Sequence, residues 1–505
     1  MTTSRPAPGR SSGNPVLAAV DLGAESGRVI AGELRDDRLS LTEVHRFPNG
    51  PVHLAEGLRW DVLRLWSEIC SGLERAAREA DGVIRGIAVD SWGVDFALLD
   101  RTGALLGNPA HYRDDRTVGM VEEAAKTVSL ERLFAATGAQ TMRINTLFQL
   151  LSMSRAGSPQ LGEADRLLMI PDLFGAWLSG RRATELSIAS TSQCLDVGQR
   201  DWARSLLGDL RIPPGIFGEL VAAGTVLGPV AEPLSRIPGL ARASVIAAAS
   251  HDTACAAAAV PSAGPDAVWI SSGTWSIMGF SSPTPIVSDV SMRLGLSNEV
   301  AAGGDFLVCK TMPGLWLVQE CRRTWAEAGE PLSYAELADL AVQAPAFGCF
   351  VDPDDESLAE PGDMPARIRA LCRKTGQPEP ETRAAILRCA FESLALQYRR
   401  ALDRLERVSG RVFSPVHIVG GGSRNELLCQ KTADALGRPC QAGPVEATAA
   451  GNVLIQAVAL GLIDSLDEGR RLVRRSFEIR TYEPRSASAW DEPYRRFLEL
   501  TNDHA

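Results

Sequence analysis

Lysine is almost missing from this chain of 505 residues: of its 52 basic residues only Lys126, Lys310, Lys374 and Lys431 are lysines. Arginine is therefore the default cation, and a lone arginine marks nothing. Acidic residues number 62, the formal charge is −10, and no basic block stands out, which excludes a typical nucleic-acid binder. Long apolar runs are also absent. The window 243–260 is broken by His251 and Asp252, and 453–463 is too short to span a bilayer, so no membrane is expected as a partner. Residues 1–15 are rich in Pro, Gly and Ser without the apolar stretch of a signal peptide, so they read as a flexible tail on a cytoplasmic protein.

The cysteines number ten and never come closer than 11 positions, so no CxxC pair exists; the six histidines form no HExxH or HxH array. Reduced, buried thiols are expected, and a protein-built transition-metal site is not. The chain also has neither GxxxxGK[ST] nor GxGxxG after a strand. A nucleotide would have to be held by loops from two places.

What is present is enough apolar residue, 45% of the chain, to bury the cores of two large domains. Apolar runs at 17–23, 28–34 and 39–47, a helical stretch at 60–79 and a further run at 84–93 make an α/β module. Strand, small-residue turn and strand recur at 267–270, 271–276 (SSGTWS) and 277–280, with hairpin-like segments to Val308. The order predicts two halves of similar topology, each turning a loop toward a shared cleft. Leu387, Phe391, Leu394, Tyr398, Leu402 and Leu405 fall at helical spacing. Val416–Val419 runs as a strand into Gly420, Gly421 and Gly422, and Ser423 with Glu426 predicts a capping box at the next helix start. A last helix is expected at 446–462 with Asn452 and Gln456 as its polar face.

Asp21 ends an apolar strand and precedes the small-residue loop of DLGAESGR, so its carboxylate sits beside backbone N–H groups. An ordinary turn aspartate would explain it alone. A carboxylate next to an anion-binding loop also suits a divalent cation between protein and phosphate. His251 and Asp252 interrupt an apolar window, where charge is costly unless paired or facing a cleft. Asp252 or Thr253 could merely cap a helix at 254–259; a catalytic carboxylate is the sharper reading. In SSGTWS the Gly273 N–H and the Thr274 hydroxyl could meet phosphate oxygens, and Gly93 beside Trp92 leaves room for a small polar ligand.

Taken in order, DLGAESGR, DSWGVDFALLD, YRDDRT, NTLFQL, SHDTA, SSGTWS, GLWLVQE and HIVGGGSRNELL resemble the rhamnulokinase branch of the FGGY carbohydrate kinases, from about residue 16 to 465. The resemblance implies two RNase H-like (actin/hexokinase-like) α/β domains around a central cleft, at 16–252 and 253–485, with a C-terminal tail at 486–505. It also implies phosphorylation of L-rhamnulose at its 1-hydroxyl by ATP with Mg2+, in a monomer or homodimer. Asp252 would be the general base. Gly93, His251, Asp252, Thr253 and Thr311 would contact sugar; Ala24, Glu25, Ser26, Gly27, Arg28, Thr274, Gln319 and Gly421 would contact ATP; Asp21 would be the magnesium-side carboxylate. Glu25 stands where the family commonly has Ser or Thr, so its side chain is expected to turn away from the nucleotide. Thr311 stands where the family has Asn, which leaves L-fuculose or L-xylulose as alternative ketoses. An actin- or Hsp70-like ATPase and a catalytically dead sugar sensor are the readings outside sugar phosphorylation.

Overall fold

The computed structural model describes residues 15–501 apart from 80–82, 263 and 265–266, so all but the last residue of the tail expected at 1–15 lies outside the described residues. Two sheets organise it. In the first, β1 (Val16–Leu22), β2 (Ser26–Arg35), β3 (Arg38–Pro48), β4 (Ile84–Ser91), β5 (Val226–Pro229) and β6 (Ser244–Ile246) lie in the order β5-β6-β4-β1-β2-β3. All seven residues of β1 are buried, because β2 pairs with it antiparallel, β4 pairs with it parallel, and both faces are covered.

The second sheet contains β7 (Val268–Ser272), β8 (Trp275–Ser282), β9 (Ser297–Val300), β10 (Phe306–Pro313), β11 (Val416–Val419), β12 (Cys440–Ala442) and β13 (Arg480–Tyr482), in the order β9-β10-β8-β7-β11-β12-β13. Its core repeats the first sheet: β7 pairs antiparallel with β8 and parallel with β11, as β1 does with β2 and β4. The expected duplication of topology is therefore what the chain adopts. Each copy ends its first strand at a tight turn, and the two turns meet through Glu25 and Thr274.

The helix at Leu387 to Leu405 is α4 (Arg383–Ser409), with those six positions all buried; Thr382 caps its start, and Gly410 in the left-handed region ends it. Earlier helices are α1 (Val62–Glu79), α2 (Asp252–Ala258) and α3 (Trp316–Glu327); later ones are α5 (Glu426–Leu436) and α6 (Ala447–Ala459). Among the described residues no helix is long and apolar enough to cross a membrane. All ten thiols are free and nine are buried. Distance along the chain concealed one feature: the sulfurs of Cys349, Cys372 and Cys389 lie within 4.8 Å of one another in the apolar core of the second half.

Two expectations are corrected. Asn425, not Ser423, caps α5 by accepting the Leu428 N–H, while the Ser423 hydroxyl turns back to donate to the Gly420 carbonyl. The glycines wind into a short tight turn over Gly421–Arg424, which delays the helix start. Asn452 and Gln456 do form a polar face, one that is fully buried and bonded to the first sheet. The stretch 486–505 is not a tail throughout, since Asp491–Leu500 is helical and buries Trp490, Tyr494 and Phe497 against Phe350, Ala395 and Leu396.

Helices α2 and α6 join the halves. Both are alanine-rich, and at Gly451 their backbones come so close that a Cβ would overlap the Cys255 carbonyl. Gly451→Ala therefore forces the helices apart and should cost about 1–3 kcal/mol. Gly208→Ala, at an open helical position, should stay within about 1 kcal/mol of wild type. Urea denaturation of the two variants measures the difference.

Candidate active site

The ends of β1, β4 and the segment before α2 meet at one edge of the first sheet. Asp21 pairs in register with Asp90 across β1 and β4, Ser91 donates its N–H to Ser250 O at 2.9 Å, and Ser91 bridges to His251. Asp21, Asp90 and Asp252 are thereby close enough to feel one another's charge. Burial pushes the Asp21 carboxyl above its ordinary range; the Arg28 guanidinium, bonded to both Asp21 and Glu446, pulls it back.

Helix α2 begins at Asp252, with His251 as its cap residue and no side-chain capping bond. The Asp252 carboxylate is thus not spent on a cap. It retains 31% of its side-chain surface and receives the Thr253 hydroxyl at 3.2 Å, with His251 Nε2 at 3.4 Å. Burial raises its affinity for a proton, His251 lowers it, and Asp21 raises it again. This is a partly exposed carboxylate whose raised proton affinity is opposed by a neighbouring imidazole.

Of the eight residues DLGAESGR, only Gly23, Ala24 and Glu25 form the loop; Ser26, Gly27 and Arg28 already belong to β2. Glu25 reaches across to the turn of the second half. Its Oε1 accepts the Thr274 hydroxyl at 3.3 Å, so the turns of the two halves touch. The Gly273 N–H, expected to face phosphate, instead donates to Trp275 O at 2.9 Å. The Thr274 carbonyl accepts Gly314 N–H at 3.0 Å, which ties this turn to the start of α3 and so to Gln319, whose Oε1 is buried without a hydrogen-bond partner. Gly420 and Gly422 lie against Ser272, where a Cβ at Gly422 would overlap the serine hydroxyl; Gly421 faces open space. Thr274, Gln319 and Gly421 thus converge on one end of the second sheet. Gly93 packs on Thr191, and Thr311 N–H donates to Gln140 Oε1 at 3.3 Å.

Asp21 could hold a hard divalent cation. It is a nearly buried carboxylate, and behind it Asp90 keeps a buried oxygen with no partner; such oxygen donors suit magnesium.

A family model for the FGGY family of carbohydrate kinases, N-terminal domain, matches residues 16–259, and the model for the C-terminal domain matches residues 268–460. The chain belongs to the FGGY family of carbohydrate kinases. It is similar to a rhamnulokinase of Bacteroides thetaiotaomicron, 41% identical over 479 residues, covering 95% of this chain and 98% of that protein. A rhamnulokinase of Enterococcus faecalis is 38% identical over 470 residues, covering 92% of this chain and 93% of the relative. Among solved structures, a ligand-bound xylulose kinase from Lactobacillus acidophilus superposes with a TM-score of 0.80 at 16% identity, over 97% of this chain and 98% of that one. Plasmodium falciparum glycerol kinase with ADP gives 0.75 at 15% identity, over 97% of both chains. These two likenesses bear on the fold alone.

Several residues of this FGGY kinase's cleft edge escaped the reading of the sequence. Asp95 is buried and accepts Trp60 Nε1 at 2.5 Å, Trp92 Nε1 at 3.0 Å, Tyr112 N at 3.2 Å and Gln149 Nε2 at 2.9 Å; burial still raises its pKa to about 6. It fixes Trp92 beside Gly93. Val94 has φ +68°, a strained backbone for a β-branched residue, held by Thr191 Oγ1 on its N–H and Thr146 Oγ1 on its carbonyl. Glu185 accepts Ser250 N–H at 2.9 Å and so pins the segment carrying His251 and Asp252. DSWGVD held two of these signals, Val94 and Asp95, in the short segment that follows β4.

Asp90 is fully buried, and burial together with the Asp21 charge holds its pKa well above the usual 3.8. The unfolded chain releases this proton above pH 3.8 while the folded chain keeps it, so the residue costs stability increasingly as pH rises past that value. Asp90→Asn keeps the shape without the proton. Its melting temperature should exceed wild type by more at pH 8 than at pH 4, about 2–4 °C per kcal/mol recovered. Calorimetric melts showing no gain at pH 8 would contradict this.

Proposed function

We propose that this FGGY kinase transfers the γ-phosphate of ATP to the 1-hydroxyl of L-rhamnulose, giving L-rhamnulose 1-phosphate and ADP. The observation that carries the reading is the 41% identity, over nearly the full length of both chains, to a rhamnulokinase. The open Asp252 carboxylate supports it at the level of chemistry. In the proposed step Asp252 accepts the hydroxyl proton as the sugar oxygen bonds to the γ-phosphorus. The bond to the bridging oxygen breaks, and its electron pair leaves on ADP. Phosphoryl transfer of this kind needs positioning and charge neutralisation more than covalent help from the protein. Magnesium, held on the Asp21 side, would neutralise phosphate charge. Thr274, Gln319 and Gly421 line the end of the second sheet as the ATP side, and Gly93, His251, Thr253 and Thr311 form the sugar side. The turns of the two halves meet at Glu25 and Thr274, beside the proposed path of the phosphate.

A second ketose remains a specific alternative because of Thr311, whose short side chain stands beside Gln140. L-Rhamnulose, L-fuculose and L-xylulose are compared by ADP release and product mass; fastest turnover with either of the other two would displace the proposed substrate.

Asp252→Asn should fold and bind ATP while sugar-dependent ADP release drops about 10²–10⁴-fold. Near-normal turnover in a coupled assay removes Asp252 from the role of base. Asp21→Ala should weaken nucleotide binding measured calorimetrically with magnesium far more than without it. Equal losses in both conditions would take the cation away from Asp21.

A further inference from the structure

Glu299 lies on β9, on the far side of His251 from Asp252, in the part of the chain that matches the C-terminal family domain, whereas His251 belongs to the N-terminal one. Its Oε2 is 3.0 Å from His251 Nδ1, and the other imidazole nitrogen, Nε2, is 3.4 Å from Asp252 Oδ1. Both members of the Glu299–His251 pair are buried, with 8% and 7% of their side-chain surface exposed. The approach falls off the line of a well-formed hydrogen bond, so charge attraction is the larger part of the pairing and hydrogen bonding the smaller. The carboxylate, imidazole and carboxylate therefore stand in a row, and only Asp252 opens on the cleft.

From this row we infer that Glu299 is a positioning residue for phosphoryl transfer: it holds His251 as the imidazolium, and that cation keeps Asp252 ionised and aimed at the sugar hydroxyl. The inference rests on the reading of Asp252 as the base.

The electrostatic surroundings agree. Burial by itself would strip the proton from His251, but Glu299 first, then Asp252 and Glu185, outweigh it and raise its pKa to about 8. Asp252 faces the opposite problem. Burial and Asp21 favour its proton, Asp90 stands nearby, and His251 is the group that opposes them. Without a cation at His251, Asp252 would take up its proton at a higher pH and so be a weaker acceptor of the sugar proton. Glu299 also touches Cys309, whose buried thiol stays neutral and brings no charge to the row.

Glu299→Gln keeps the shape and removes the charge. In kcat/KM against pH, the alkaline limb, set by loss of the His251 proton, should move down from near 8, while the acid limb, set by Asp252, should move up. If His251 returned only to the ordinary value of 6.5, its protonated fraction at pH 7.5 would fall about eightfold, and kcat/KM with it. Glu299→Asp, which keeps the charge, should restore part of the width. A purely structural role would lower activity without narrowing the profile, and that result would overturn the inference.

A readout independent of turnover is the titration of the His251 ring by proton NMR, assigned by the signal lost in His251→Gln. A midpoint near 8 in wild type that falls in Glu299→Gln supports the pair. A wild-type midpoint at or below 6.5 overturns it, even if Glu299→Gln should fail to fold. Activity in Asp252→Asn would sink the reading of the base while leaving this titration unaffected, so the two failures are distinguishable.

Discussion

Three carboxylates crowded at one end of a buried sheet are the constraint around which this site is built. Like charges in a low-dielectric setting cannot all remain ionised. The structure answers with a different partner for each: Arg28 on Asp21, the Asn452 amide on Asp90, and His251 beside Asp252. The outcome is an aspartate suited to a cation, one whose proton is held well above the ordinary range, and one partly exposed whose raised proton affinity an imidazole opposes. Identical side chains thus acquire distinct chemistry from what surrounds them.

The partners come from both halves. Asn452 reaches Asp90 across 362 positions, on a helix whose Gly451 allows the backbone of α2 to approach. Gln456 donates to Ala18 O at 3.1 Å, so the same helix face also holds the central strand of the first sheet. Glu446, one residue before that helix, shares Arg28 with Asp21. Helix α6 therefore belongs to the second half in sequence and to the first half in its electrostatic work. Any change in the packing of the halves reaches the protonation of the carboxylates.

Much of the fold was legible because its signals are local. The all-apolar β1, the turns after it and after β7, and the spacing of Leu387 to Leu405 each declare an element within a dozen or so residues, and the duplication followed from their order. The misread features depend on choices between neighbours or on distant partners. Ser423 and Asn425 are both good caps, and three glycines let the chain tighten before the helix begins, so the later one is used. Trp490, Tyr494 and Phe497 carry a helical spacing of their own, but their value lies in Phe350 and Leu396, far away in sequence. Asp90 reads as one more polar residue at a strand end until Asn452 is seen against it. Glu299 carries no motif and becomes legible only when β9 is set beside His251.

The central claim is that at pH 7 the carboxyls at this edge differ in proton affinity, Asp90 holding its proton more tightly than Asp252. Infrared difference spectroscopy of the protonated-carboxyl stretch tests it directly, comparing wild type with single Asp→Asn variants at that pH. The account predicts that a protonated-carboxyl band disappears in Asp90→Asn and persists in Asp252→Asn. Loss of that band in Asp252→Asn, with Asp90→Asn unchanged, would contradict it.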